Sequence, residues 1–136
     1  MAKVENELKR ADKYMLHLLK GKCYDKTKQY KQACLEYKVA LDMCTEYKVG
    51  DDILGQIYFR VGWSQVRSKE DIHIGVEHLR KAHKLLPNNP EVMVKLAGAV
   101  QEIGDDSTMK ESQEMLKQAV AIEPNHAEAY LLLGKI

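Results

Sequence analysis

His73, His78 and His83 stand five residues apart, close enough in sequence to raise the question of a metal site. Five residues turn a helix through ~500°, which spreads the three imidazoles around its circumference. Zinc needs ligands that converge, so no metal site is expected here. Two carboxylate pairs, Asp51-Asp52 and Asp105-Asp106, could in principle share acid–base work. Each stands just ahead of a helical stretch, where a carboxylate caps free N–H groups and faces the positive end of the helix dipole. Asp51 or Asp52, and Asp106 or Ser107, are therefore expected as caps. Cys23, Cys34 and Cys44 are odd in number and lack a metal-binding spacing. They read as reduced thiols, which predicts a cytoplasmic setting or a nuclear one. No Gly-rich phosphate loop and no Gly-x-Ser-x-Gly occurs. The chain is not expected to be an enzyme, to hold a metal or to need a cofactor.

Function must then lie in a surface, and the surface depends on the elements that carry it. The 136 residues suffice for one domain with a real core. Apolar residues make up 45% and charged residues 30%, as in ordinary globular proteins. The net charge of +1 exerts no global pull on nucleic acid or anionic membrane. No run of ~18 apolar residues could cross a bilayer, and the charged start Met1–Glu7 lacks a signal-peptide core. Apolar residues recur at three- and four-residue steps throughout, as in Val4, Leu8, Ala11, Met15 and Leu18. That periodicity predicts helices over 3–26, 29–46, 53–68, 72–86, 90–103, 108–122 and 126–136. Between them lie Asp25-Lys26-Thr27, Val49-Gly50-Asp51-Asp52, Ser68-Lys69-Glu70-Asp71, Pro87-Asn88-Asn89-Pro90, Gly104–Ser107 and Glu123-Pro124-Asn125. Ser68 or Asp71 is the expected cap of the fourth helix, and Pro90 suits the first position of the fifth. No segment alternates with the period of a strand.

One phrase repeats along this series. Tyr58-Phe59-Arg60-Val61-Gly62 returns as Met93-Val94-Lys95-Leu96-Ala97 and as Tyr130-Leu131-Leu132-Leu133-Gly134, with a weaker copy at His17-Leu18-Leu19-Lys20-Gly21. Every second helix carries two small residues seven apart: Ala33 and Ala40, Gly75 and Ala82, Ser112 and Ala119. Seven residues are nearly two turns, so each pair lies on one stripe and lets a neighbouring helix come close. A large residue stands three before the later one: Tyr37, Leu79 and Leu116. Pro87 and Pro124 stand five residues after the later small residue in the second and third units. This pattern resembles the tetratricopeptide repeat (TPR), with its Leu-Gly-x2-Tyr and Ala-x3-Phe positions at a period of ~34 residues. The resemblance covers roughly residues 14–136, and Lys20 departs from it by occupying a Leu slot.

The resemblance implies an all-α, right-handed superhelical array of antiparallel helix hairpins, with three TPR-like units plus a terminal helix. The units fall at about 3–47, 53–87 and 90–124, with a partial fourth at 126–136. A helix without its partner at the end of the chain suggests the N-terminal part of a longer protein. The resemblance also implies a concave groove lined by the first helix of each pair. Its residues here would be Leu18 and Lys22, then Gln56, Phe59, Arg60, Trp63 and Arg67, then Val94, Lys95, Gly98 and Glu102, with Leu131 and Lys135 at the far end. Five are basic and Glu102 is the only carboxylate, so the expected partner is a protein or peptide segment with acidic and apolar parts. Trp63 stands between two expectations, a core residue or a binding hot spot. Family members that grip chaperone tails by the terminal carboxylate use a Lys/Asn/Asn/Lys/Arg set. Those slots hold Leu18, Lys22, Arg60, Glu91 and Lys95, which argues against that specificity. The alternative function is a structural assembly subunit or homo-oligomer that associates through its terminal helices, with exposed leucines in 126–136. A helical repeat that reads RNA is disfavoured by the near-neutral charge.

Overall fold

The computed structural model describes residues 2–46, 49–69 and 72–134, and their side chains from Lys13 onward. Val4, Leu8, Ala11, Asp71, Lys135 and Ile136, named above, have side chains outside the described residues. The described residues form seven α-helices and no strand: α1 (Ala2–Lys26), α2 (Tyr30–Glu46), α3 (Asp51–Ser68), α4 (Ile72–Leu85), α5 (Pro90–Ile103), α6 (Asp106–Ile122) and α7 (Ala127–Gly134). The most extensive contacts join α1 to α2, α3 to α4 and α5 to α6. Contacts of α2 with α3, α4 with α5 and α6 with α7 stack these pairs in chain order. The all-helical array expected from the repeats is the fold observed.

The small residues make the stacking possible. Ala33, Ala40, Gly75, Ala82, Ser112 and Ala119 are all buried, and so are Tyr37, Leu79 and Leu116 beside them. At the glycines, backbone meets backbone between α3 and α4. A Cβ on Gly62 would lie 2.8 Å from the Gly75 carbonyl oxygen, so the two backbones touch there. Such contact is open only to a residue without a side chain. Two apolar clusters result. One gathers Ala33, Tyr37, Cys44, Ile57 and Val61; the other runs from Val66 and Leu79 through Leu96 and Leu116 to Ala129.

The expected caps need correction. The third helix starts two residues earlier than expected, so Gly50, in extended backbone, is its N-cap and no side chain caps it. Asp51 and Asp52 fall in its first turn. Likewise Asp105 is the N-cap of α6 without a side-chain bond, and Asp106 falls in the first turn. The carboxylates therefore act on the helix dipole through space and do not bond a free N–H. Ser68 closes α3 and does not cap α4. Asn89 is a true cap: its Oδ1 accepts from the Val92 N–H at 3.3 Å, with Pro90 following at the first position. Gly104 ends α5 at φ 82°, a left-handed conformation that suits glycine.

Candidate functional site: two hollows along α3

Trp63, Val94 and Lys95 are brought together. They line a hollow of about 390 Å³ with Gly98, Gln101, Glu102, Met109, Glu128 and Leu132. Trp63 is half-buried: one side packs on the larger core cluster and the other lines the hollow. It is thus part core and part surface. Above its ring lies the Lys95 ammonium, 4.6 Å from the ring centroid, a distance suited to a cation–π contact. Val94 is fully buried, so it supports the floor more than it faces a ligand.

Lys95 is not a solvated charge. Its Nζ donates to both carboxylate oxygens of Glu128 at 3.0 Å, and Glu91 Oε1 lies 3.7 Å away. The Glu91 carboxylate also approaches His126 Nε2 at 3.4 Å. Two carboxylates therefore answer the cation that the sequence counted as free. Glu91 and Glu128 occupy equivalent places in successive repeats, each four residues ahead of its phrase's third slot. The repeat register marks Glu128 as the counterpart of Glu91, but not its meeting with Lys95. Gln101 was legible too, since it follows Val94 by seven residues on the stripe that also holds Gly98. Its Nε2 donates to Ser112 Oγ at 2.9 Å and to the Leu132 carbonyl at 3.2 Å, which ties α5 to α6 and α7. Met109, from a second helix, carries no such signal.

The other expected groove residues gather toward α1. Lys22 and Arg60 line a smaller hollow of about 210 Å³ with Asp25 and Lys26. Arg60 Nη1 stands 4.0 Å from Asp25 Oδ2, a long ion pair that leaves the hollow cationic on balance. The Arg60 guanidinium also lies over the Phe59 ring at 5.8 Å. Phe59 packs against the larger cluster and Leu18 against the smaller one, both half-buried. Arg67 is exposed and bridges the rings of Tyr30 and Trp63, 5.2 and 5.7 Å from their centroids. Leu131 is 68% exposed and does not line the larger hollow; its neighbour Leu132 does. Gln56 is also exposed, outside both hollows.

The histidines of α4 belong elsewhere. His78 stacks on Tyr58 and its Nδ1 lies 2.6 Å from Gln65 Oε1. His83 Nδ1 is buried without a hydrogen-bond partner. Burial pushes both imidazoles below the usual histidine range, so they are neutral at physiological pH. Arg80 forms a bidentate pair with Glu111 across α4 and α6 and holds that carboxyl below its usual range. Among the described residues, no three His, Cys, Asp or Glu side chains are grouped as metal ligands. No helix there is long and apolar enough to cross a membrane.

No family model matches this chain, and no curated protein does. Solved structures do. The first TPR of Spaghetti (RPAP3), bound to the HSP90 peptide SRMEEVD, superposes with a TM-score of 0.77 at 18% identity, over 91% of this chain and 90% of that one. The Arabidopsis OM64 TPR domain gives 0.78 at 16% identity, over 93% and 95%. The C-terminal TPR-containing domain of a Plasmodium falciparum protein gives 0.74 at 21%, over 93% and 87%. Paired helices, buried small residues at their crossings and near-complete superposition on three such domains establish that this chain has the tetratricopeptide-repeat fold.

Proposed function

We propose that this chain is a protein-interaction module, not an enzyme, and that it binds a peptide segment of a partner along its concave face. The observation that carries the reading is the half-exposed Trp63 at the mouth of a hollow with mixed polar and apolar walls. Aromatic anchors in such settings supply much of the binding energy of interfaces. A fold neighbour with a bound peptide supports the same general role. The two hollows divide the task. Acidic residues of the ligand meet Lys22, Lys26 and Arg60, where cations outnumber Asp25. Its apolar residues meet Trp63 and Leu132, where Lys95 is already neutralised by Glu128 and Glu91. The same pairing disfavours a chaperone-tail carboxylate, which would have to displace Glu128 and approach Glu91. The reading includes a reducing compartment, cytoplasm or nucleus.

Trp63 is the sole tryptophan, so its fluorescence reports occupancy directly. Peptides selected from a random library for acidic and apolar content should shift its emission on titration. Lys22→Glu combined with Arg60→Glu should weaken the best of them by at least about tenfold, the scale of two lost charge contacts. Unchanged affinity would sink the groove assignment. A second reading, self-association through the terminal helices, is favoured by Tyr130 and Leu131, which are 51% and 68% exposed on α7. A solution mass that stays monomeric up to high concentration would remove it.

A further inference from the structure

The repeat register shows what normally covers the outer side of a first helix. In α3 the seam facing α2 holds Leu54, Ile57 and Val61, and Ser64 continues the same stripe; the last three are fully buried. In α5 the same slots include Val92, Leu96 and Ala99, also buried. Counting back by the phrase, the equivalent seam of α1 is Lys13, Leu16, Lys20 and Cys23. All four are exposed, Leu16 by 51%. The departure at Lys20 from the repeat pattern thus marks a seam that is shaped for a helix and carries none among the described residues.

The chemistry of that seam names the missing helix. Leu16 is flanked by Lys13 and Lys20 along the helix, and Leu19, 54% exposed, continues the apolar surface toward the groove. Residues 13–39 contain seven lysines and only two carboxylates, Asp25 and Glu36. Both carboxylates are engaged: Asp25 meets Tyr37 and Arg60, and Glu36 lies 2.7 Å from His17 Nδ1. The whole first hairpin, residues 2–46, holds ten Lys and Arg against seven Asp and Glu, while the rest of the chain holds 11 against 13, so the net positive charge falls on this hairpin. A second copy docked through the same seam would set lysine against lysine, which is repulsive. We propose that the outer seam of α1 is a second docking surface, distinct from the groove, for an amphipathic helix of a partner protein with an apolar stripe flanked by Asp or Glu. The partner helix takes the place that α2 takes on α3. Its stripe covers Leu16 and Leu19, and its carboxylates meet Lys13 and Lys20.

Cys23 provides a local probe, since it is exposed while Cys34 and Cys44 are buried. The test uses a synthetic 18-residue helical peptide with leucines at i, i+3, i+4 and i+7 and glutamates on both flanks. Its counterpart carries lysines in place of the glutamates. The acidic peptide should bind and slow maleimide modification of Cys23. The lysine peptide should bind at least about tenfold more weakly, by like-charge repulsion. Leu16→Glu with Lys20→Glu, both at exposed positions, should abolish binding and protection without unfolding the chain. Binding that survives this double substitution overturns the proposal. So does binding lost instead on Trp63→Ala, which would put the peptide in the groove. Protection of Cys23 by phosphatidylserine vesicles but not by the peptide overturns it in favour of a membrane surface. Protection that rises with the chain's own concentration, in step with its mass, overturns it in favour of a second copy.

Discussion

In the second hairpin Gly62 and Gly75 face each other, and a Cβ on either would fall within 2.9 Å of the other's carbonyl oxygen. In the first hairpin Gly21 faces the ring of Tyr37, whose Cε1 lies 2.5 Å from where a Cβ would stand. Both glycines fill the same slot of the repeat, yet one serves backbone contact and the other makes room for an aromatic ring. The residue in the wedge differs to match. Leu79 is fully buried and wholly apolar. Tyr37 is also fully buried but sends its hydroxyl to Asp25 Oδ2 at 3.3 Å. Burial and the nearby carboxylate push that phenol well above its usual range. One repeat pattern thus supports a dry junction and a polar one. The polar junction keeps Asp25 at the edge of the cationic hollow, where it partly neutralises Arg60.

The largest effect should come from emptying the dry wedge. Leu79→Ala removes a fully buried side chain from a close-packed site and should cost about 3–5 kcal/mol, read from denaturant unfolding. A loss under about 1 kcal/mol would mean that the α3–α4 junction is looser than its geometry implies. Next come the paired glycines. Gly62→Ala must push backbone against backbone and should cost about 1–3 kcal/mol. Gly21→Ala meets a ring that can shift, so its cost should be smaller; the reverse order would break the contrast.

Acid should strike the second hairpin through α4. His78 and His83 have pKa values lowered by burial, so below about pH 6.5 the unfolded chain takes up protons that the folded chain refuses. Their stabilising contribution is complete above that pH and declines as the pH falls through the lowered values. Thermal midpoints should therefore drop between pH 7.5 and 5.5, and His78→Gln with His83→Gln should flatten the drop. Glu111, held low by Arg80, adds its own loss only below about pH 4.5. An unaltered slope in the double variant would rule the two histidines out as its source. The smallest effect belongs to the polar wedge. Tyr37→Phe keeps the ring and loses one long hydrogen bond, for about 1 kcal/mol. A cost near that of Leu79→Ala would show that the hydroxyl, not the ring, holds the first hairpin.

Much of this was legible from residue order alone. The seven helices were readable to within about two residues at each start, because the apolar stripes and the Gly and Pro breaks agree with one another. The small–large–small grammar identified the crossing residues, since a close helix crossing tolerates little else. Trp63 and Lys95 were placed on one stretch of surface by the repeat register. Their ionic surroundings were harder to see. Glu91 and Glu128 lie 37 residues apart and meet at Lys95 only because α5 and α7 pack side by side. The caps were misplaced for a local reason: Asp51, Asp52 and Asp106 sit inside the first turn, where a carboxylate is equally favourable.

By itself, the sequence determined the helical periodicity, the repeat and the slots that must be small. These follow from the 3.6-residue turn and from the limited volume at helix crossings, both of which act over short stretches of chain. Tertiary structure alone decided which charges remain available. Lys95 is neutralised across two repeats, Asp25 is shared between Tyr37 and Arg60, and Lys13 and Lys20 are left facing water on the outer side of α1. The strength of a charge depends on distance and burial relative to every other charge, and those distances exist only once the hairpins have stacked.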